Sequence, residues 1–229
     1  MRFPTFQLIG LMGVQAVFGR PAPEKKLHNG IDKRAATAFT SGNAILERSI
    51  DDELYLNEIV VGDQIDEDVE AKVYKATVPG TEGFDPSKTY ALKKDYKHAP
   101  SLENEYETYK AIDGQGIGPT FEAIVTDTES LDDTGILIEY IDTRPADPGS
   151  KDDARGALAA LLKMHDLGYV HGGTFALGTV LVNKSDGKVV LADFVGSEKT
   201  NDAKKKEEDL DLLKAAFSGV KFDGDKIAD

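Results

Sequence analysis

The hydrophobic pattern of this chain changes its period once, and the change falls at a break marked by proline and glycine. From Leu54 to Tyr140, apolar residues alternate in short runs separated by Gly, Asp and Pro turns, the signature of strands with one buried face. From Ala154 onward they recur at helical spacing, as Leu158, Leu161, Leu162 and His165, then as Leu210, Leu213, Ala216 and Phe217. Between the two lies Thr143 to Lys151, with Pro145, Pro148 and Gly149, which reads as a linker. A chain patterned in this way must build a sheet-rich half and a helix-rich half around a shared core or cleft.

Five strands are expected in the first half: Tyr55–Val61, Ala71–Thr77, Thr89–Lys94, Thr120–Thr126 and Gly135–Tyr140. One helix interrupts them. Pro100-Ser101 opens it, with Ser101 as N-cap and with Glu103 and Glu105 near the positive end of its dipole. Leu102, Tyr106, Tyr109 and Ile112 make its apolar face, and Gly114 to Gly118 ends it.

The N-terminal region carries processing signals. Arg2 precedes an apolar run from Phe6 to Val17, and small residues lie near a cut after Gly19, so residues 1–19 read as a secretory signal peptide. The run is shorter than the roughly twenty residues a membrane span needs. Residues 20–34 are polar and end in Lys33-Arg34, which is similar to a kexin-type site that frees a fungal pro-peptide. Residues 35–53 form a mixed polar lead-in.

These signals lead to a secreted, extracellular protein with no membrane anchor after processing. Residues 1–34 hold six basic and two acidic residues, so their removal takes the formal net charge from −14 to −18. Such acidity disfavours nucleic acid and anionic membranes and favours basic protein partners. The chain has no cysteine, so its core must hold it together without disulfides. Asn183-Lys184-Ser185 is a sequon in an expected hairpin turn and makes Asn183 a glycosylation candidate.

The richest stretch for chemistry is MHDLGYVHGGTFALGTVLVN, from Met164 to Asn183, followed by VVLADFVG from Val189. A helix ends in Leu-Gly-Tyr-Val-His, a polar loop follows, and two apolar runs flank the turn Lys184-Ser185-Asp186-Gly187. Upstream, Tyr90-Ala91-Leu92-Lys93 ends a strand, and ENEYETYKAI supplies carboxylates on the next helix. Gly135-Ile136-Leu137-Ile138-Glu139-Tyr140-Ile141 forms a further strand and its exit.

In this order and spacing the segments resemble a protein kinase in a minimal form, over roughly residues 55–217. The resemblance implies an α+β, bilobal fold. Its N-lobe, residues 54–141, would be a five-stranded antiparallel sheet with one helix. Its C-lobe, residues 142–229, would be reduced and mostly helical. Lys93 would hold nucleotide phosphates, with Glu105 as its partner and Glu103 and Glu107 as weaker choices. Ile138 would be the gatekeeper, and Glu139 and Ile141 would meet the nucleotide base. Asp193 would bind metal, and the helix around Asp209 would support the catalytic loop. ATP with Mg²⁺ or Mn²⁺ is the cofactor this implies.

The same alignment finds the reaction machinery damaged. His171-Gly172-Gly173 stands where His-x-Asp belongs, so no catalytic residue is intact and Gly173 replaces the base. The metal-holding asparagine falls at Gly178 or Thr179, and Val195 replaces the glycine after Asp193-Phe194. The three glycine positions of the phosphate loop fall on Asp66, Asp68 and Ala71, with Glu67 and Glu70 between them. One carboxylate about 4 Å from a phosphate, at an effective dielectric near 20, costs about 4 kcal/mol, or roughly three decades of affinity.

The leading expectation is therefore a secreted pseudokinase that binds a protein partner; if fungal, it is an effector candidate. Two alternatives stay open. One is an active atypical kinase using Lys93 and Asp193, and the other is a nucleotide- or metal-binding regulator without transfer activity. His171 is expected to be structural, and its spacing from His165 is poor for a zinc pair.

Overall fold

Alternation along each strand sorts the first half of the chain into two apolar layers on opposite faces of one sheet. The computed structural model describes residues 53–228, apart from 68–70, 98, 131, 174 and 176–177 and the side chains of 99–100. The expected signal peptide, pro-segment and most of the lead-in lie outside the described residues, all of which fall within the unit Leu46–Asp229.

The strands of this half are β1 (Glu53–Tyr55), β2 (Val60–Glu67), β3 (Lys72–Thr77), β4 (Tyr90–Lys94), β5 (Phe121–Thr126) and β6 (Asp133–Glu139). They form one sheet in the order β1-β5-β6-β4-β3-β2. Tyr90 and Leu92 of β4, with Leu137 of β6 and Ala123 and Val125 of β5, pack on one face against Leu54 and Val78. Ala91 and Lys93 point to the other face, where Ile136 and Ile138 meet helix α1 (Ala99–Ile112).

The expected five-stranded antiparallel sheet is corrected here. The sheet has six strands and is mixed, because β1 runs parallel to β5, with Leu54 opposite Val125. The expected strand Tyr55–Val61 is cut in two by a 3-10 turn at Leu56–Glu58. The Tyr55 amide donates to the Glu58 carboxylate at 2.9 Å, and the Ile59 amide closes the turn on the Leu56 carbonyl. The pieces on either side then go to opposite edges of the sheet. Helix α1 also starts earlier than expected, so Ser101 sits in the first turn and is no N-cap. Pro100 is tolerated there because the first amides of a helix have no partner within it.

The mostly helical second half is corrected too. It holds two α-helices, α2 (Lys151–Asp166) and α3 (Ala203–Ala216), among seven short strands. These are β7 (Thr143–Pro145), β8 (Tyr169–Val170), β9 (Val180–Asn183), β10 (Val189–Leu191), β11 (Glu198–Lys199), β12 (Phe222–Asp223) and β13 (Lys226–Ile227). They make three small sheets, β10-β9-β7, β11-β8 and β12-β13. Runs of two to four residues between turns are too short to show a period, so the helices dominated the sequence pattern.

The expected linker contributes β7, which pairs with β9 through Arg144 opposite Val182. Arg144 also grips the half-turn before α2. Its guanidinium holds the Asp153 carboxylate at 2.7 and 3.1 Å, and Asp153 accepts from the Asp147 amide at 2.9 Å. Ser150 caps α2, accepting from the Asp153 amide. Leu158, Leu161 and Met164 of α2 and Leu210, Leu213 and Phe217 at α3 then bury into the same core as α1 and β10. Among the described residues no helix is long and apolar enough to cross a membrane.

Candidate functional site

The turn after β10 and the helix after β4 bring together three residues that are far apart in sequence. Lys93 is the fourth residue of β4, and alternation aims it at α1. Glu105 lies one turn from Leu102 and from Tyr109 on the buried face of that helix. The Lys93 ammonium meets Glu105 Oε2 at 2.9 Å and Oε1 at 3.0 Å, and Asp193 Oδ1 at 3.0 Å. Glu105 is 0% exposed and the Asp193 side chain 38%. Burial pushes the Glu105 carboxyl above its ordinary pKa, against the lowering pull of the Lys93 charge.

Two further donors complete the Glu105 shell. The Tyr96 hydroxyl donates to Oε2 at 2.8 Å, and the Phe194 amide donates to Oε1 at 3.2 Å. Tyr96 has no signal in the sequence, since it sits in a loop with no period and reaches back past the end of β4. The Phe194 amide is presented by Asp193, whose backbone is left-handed at φ 61°. Phe194 is fully buried, edge-on to Tyr109 with ring centres 5.0 Å apart.

Beside this cluster lies a cleft of about 290 Å³. Val73, Ala91 and Ile138 wall it on the sheet side, and Leu181 and Val190 wall it from β9 and β10. Glu139 and Ile141 line it as well. Glu139 accepts from the Thr120 hydroxyl at 3.0 Å. Asp66 lines the cleft as well, while Asp68 and Glu70 lie outside the described residues. Ala71 is buried. Asn183 closes β9 away from the cluster, its Oδ1 accepting from the Ser185 amide at 2.9 Å and hydroxyl at 2.8 Å.

The loop at His171 is held from below. Asp209 of α3, itself buried, accepts from the His171 amide at 2.7 Å and the Gly172 amide at 3.0 Å, and its Oδ2 lies 3.0 Å from His165 Nε2. Burial raises the pKa of Asp209, but the His165 contact and the two amides outweigh it and leave the carboxyl below its ordinary value. His171 Nε2 donates to the Ala192 carbonyl at 3.1 Å, which leaves Nδ1 as a buried acceptor without a partner. Burial keeps the imidazole pKa low, and the ring neutral. Both histidines thus serve the loop's geometry.

Gly172 has φ +64°, and a Cβ there would overlap the Gly196 carbonyl oxygen. Gly173 would place a Cβ 3.1 Å from His171 Nδ1. No carboxylate stands at that point of the loop.

The residues present fit only part of a nucleotide complex. The apolar walls suit a flat ring. A polyphosphate there would meet the Asp66 carboxylate, while the Lys93–Glu105 pair is the one the resemblance implies. A divalent ion would find Asp193 with one oxygen held by Lys93, and among the described residues no group of three acidic, His or Cys side chains could hold a metal. No family model matches the chain, and no curated protein matches it.

Proposed function

We propose that the chain is a secreted, kinase-related binding protein that does not transfer phosphate and acts by engaging a protein partner. One observation carries the reading: Gly173 stands where a base would face a substrate hydroxyl, and no carboxylate takes its place at that point of the loop. Phosphoryl transfer asks a site for metal-held phosphates and a positioned carboxylate. The Lys93–Glu105–Asp193 cluster is compatible with either role, and in this reading its work is to fix α1 against the turn at Phe194.

A second reading, a nucleotide-binding regulator without transfer activity, is favoured by the apolar walls of the cleft. One experiment separates the readings. The purified protein is melted with and without millimolar ATP and Mg²⁺ or Mn²⁺, and incubated with labelled ATP and a general protein substrate. The expected outcome is an unchanged melting point and no labelled product. A ligand at a hundred times its Kd would add about 2.7 kcal/mol, a shift of several degrees for a chain of this size. Such a shift without transfer selects the regulator, and transfer that Asp193→Ala abolishes overturns both in favour of an atypical kinase.

A further inference from the structure

We propose that the free edge of β2 is a docking site for an extended, basic segment of a protein partner, which adds to the sheet as a seventh strand. The proposal rests on the binding-protein reading above and names the surface and the chemistry of the partner. Among the described residues β2 ends the strand order and pairs only with β3. All eight of its residues are exposed. Val60, Val61 and Ile65 are 56%, 38% and 42% exposed, so one strand carries half of the six large apolar side chains exposed among the described residues. A long edge of this kind is a template for another chain, because among the described residues no strand pairs with its outer amides and carbonyls.

Charge decides which chain. Asp63, Asp66 and Glu67 lie on β2 with no lysine or arginine between Val60 and Glu67. None of the three has a cationic partner among the described residues. A second copy laid against the edge would set carboxylates against carboxylates across the new pairing. A strand that alternates apolar residues with lysine or arginine meets both features at once: backbone groups pair, and its cations face acids that, among the described residues, only Lys72, opposite Glu67 on β3, offsets across the ladder. The opposite edge, β1, has three residues and offers too little backbone for this.

The probe is an acetylated and amidated octapeptide alternating lysine and valine, titrated against the full chain by fluorescence anisotropy. Hydrogen exchange is read at the amides of residues 60–67. The expected result is saturable binding with slowed exchange at those amides. The paired variant Asp63→Lys and Glu67→Lys should weaken binding at least tenfold, and a glutamate–valine peptide should not bind the unmodified chain. N-methylation of the peptide's valines should abolish binding by blocking the ladder. Equal binding by the N-methylated or acidic peptide, exchange unchanged at 60–67, no binding, or self-association through β2 would each overturn the proposal. The exchange readout on the unaltered chain stands even if the charge-reversed variant does not fold. None of these results bears on phosphate transfer, so this proposal can fail while the binding-protein reading stands.

Discussion

Removing the Lys93 ammonium would leave Glu105 fully buried, facing, among the described residues, the Tyr96 hydroxyl and the Phe194 amide. Breaking one side of a buried pair costs more than the pair itself contributes, because the stranded charge keeps its desolvation penalty. Lys93→Met should therefore destabilise the chain by about 3–5 kcal/mol in urea unfolding. Lys93→Met with Glu105→Leu should recover most of that loss, since an apolar pair of similar volume removes the stranded charge. If the double variant is no more stable than the single one, the cluster does not hold α1 in the way its distances imply. Lys93, Glu105 and Asp193 were legible in the sequence because each sits at a fixed offset within a short motif. Tyr96 and the carboxylate grip of Asp209 on the His171 loop depend on where distant loops fold back, and spacing along the chain carries no record of that.

Helices and strands were legible where their period ran long enough, and lost where it did not. Helices α1, α2 and α3 each show a buried stripe over several turns. The break inside Tyr55–Val61 was not visible because its two polar residues, Asn57 and Glu58, sit between Leu56 and Ile59 as they would in a short exposed stretch of strand, and the bonds that make the turn, from the Tyr55 amide to Glu58 and from the Ile59 amide to Leu56, leave no mark in the sequence. β7 was hidden by Pro145, a residue at home on a sheet edge, where β7 lies in the order β10-β9-β7. Gly156 tests which force sets the seat of α2. Intrinsic propensity favours alanine over glycine within a helix by about 1 kcal/mol. A Cβ at 156 would, however, come within 2.5 Å of Val189 Cγ2 on β10. Packing should win, so Gly156→Ala lowers stability by about 1–3 kcal/mol, and adding Val189→Ala restores only part of it, because the Cβ of residue 189 would still lie 2.7 Å from the new group. A stabilised Gly156→Ala measured by thermal melting would mean that α2 can ride away from β10.

For the molecule as a whole, the pattern led to a sheet-rich half and a mostly helical half, and the second expectation fails: among the described residues that half carries seven short strands beside α2 and α3. A global readout follows from the buried imidazole. His171 has a lowered pKa in the fold, so it stays neutral while the unfolded chain takes up a proton below about pH 6.5. Its contribution is complete above that pH and is lost as pH falls toward the folded value. Urea unfolding at pH 7.5, 6.5 and 5.5 should show declining stability, and His171→Gln should flatten the decline. An equal slope in both proteins would assign the loss to other groups. The close approach of Gly172 to Gly196 reaches beyond stability, into what a protein engineer can do with this loop. A carboxylate can be grafted at 173 at the cost of a small shift in the His171 ring, whereas position 172 admits no side chain while the two backbones touch. A base at 173 is thus within reach of one substitution, whereas any side chain at 172 calls for rebuilding the loop there and the turn at 196 together.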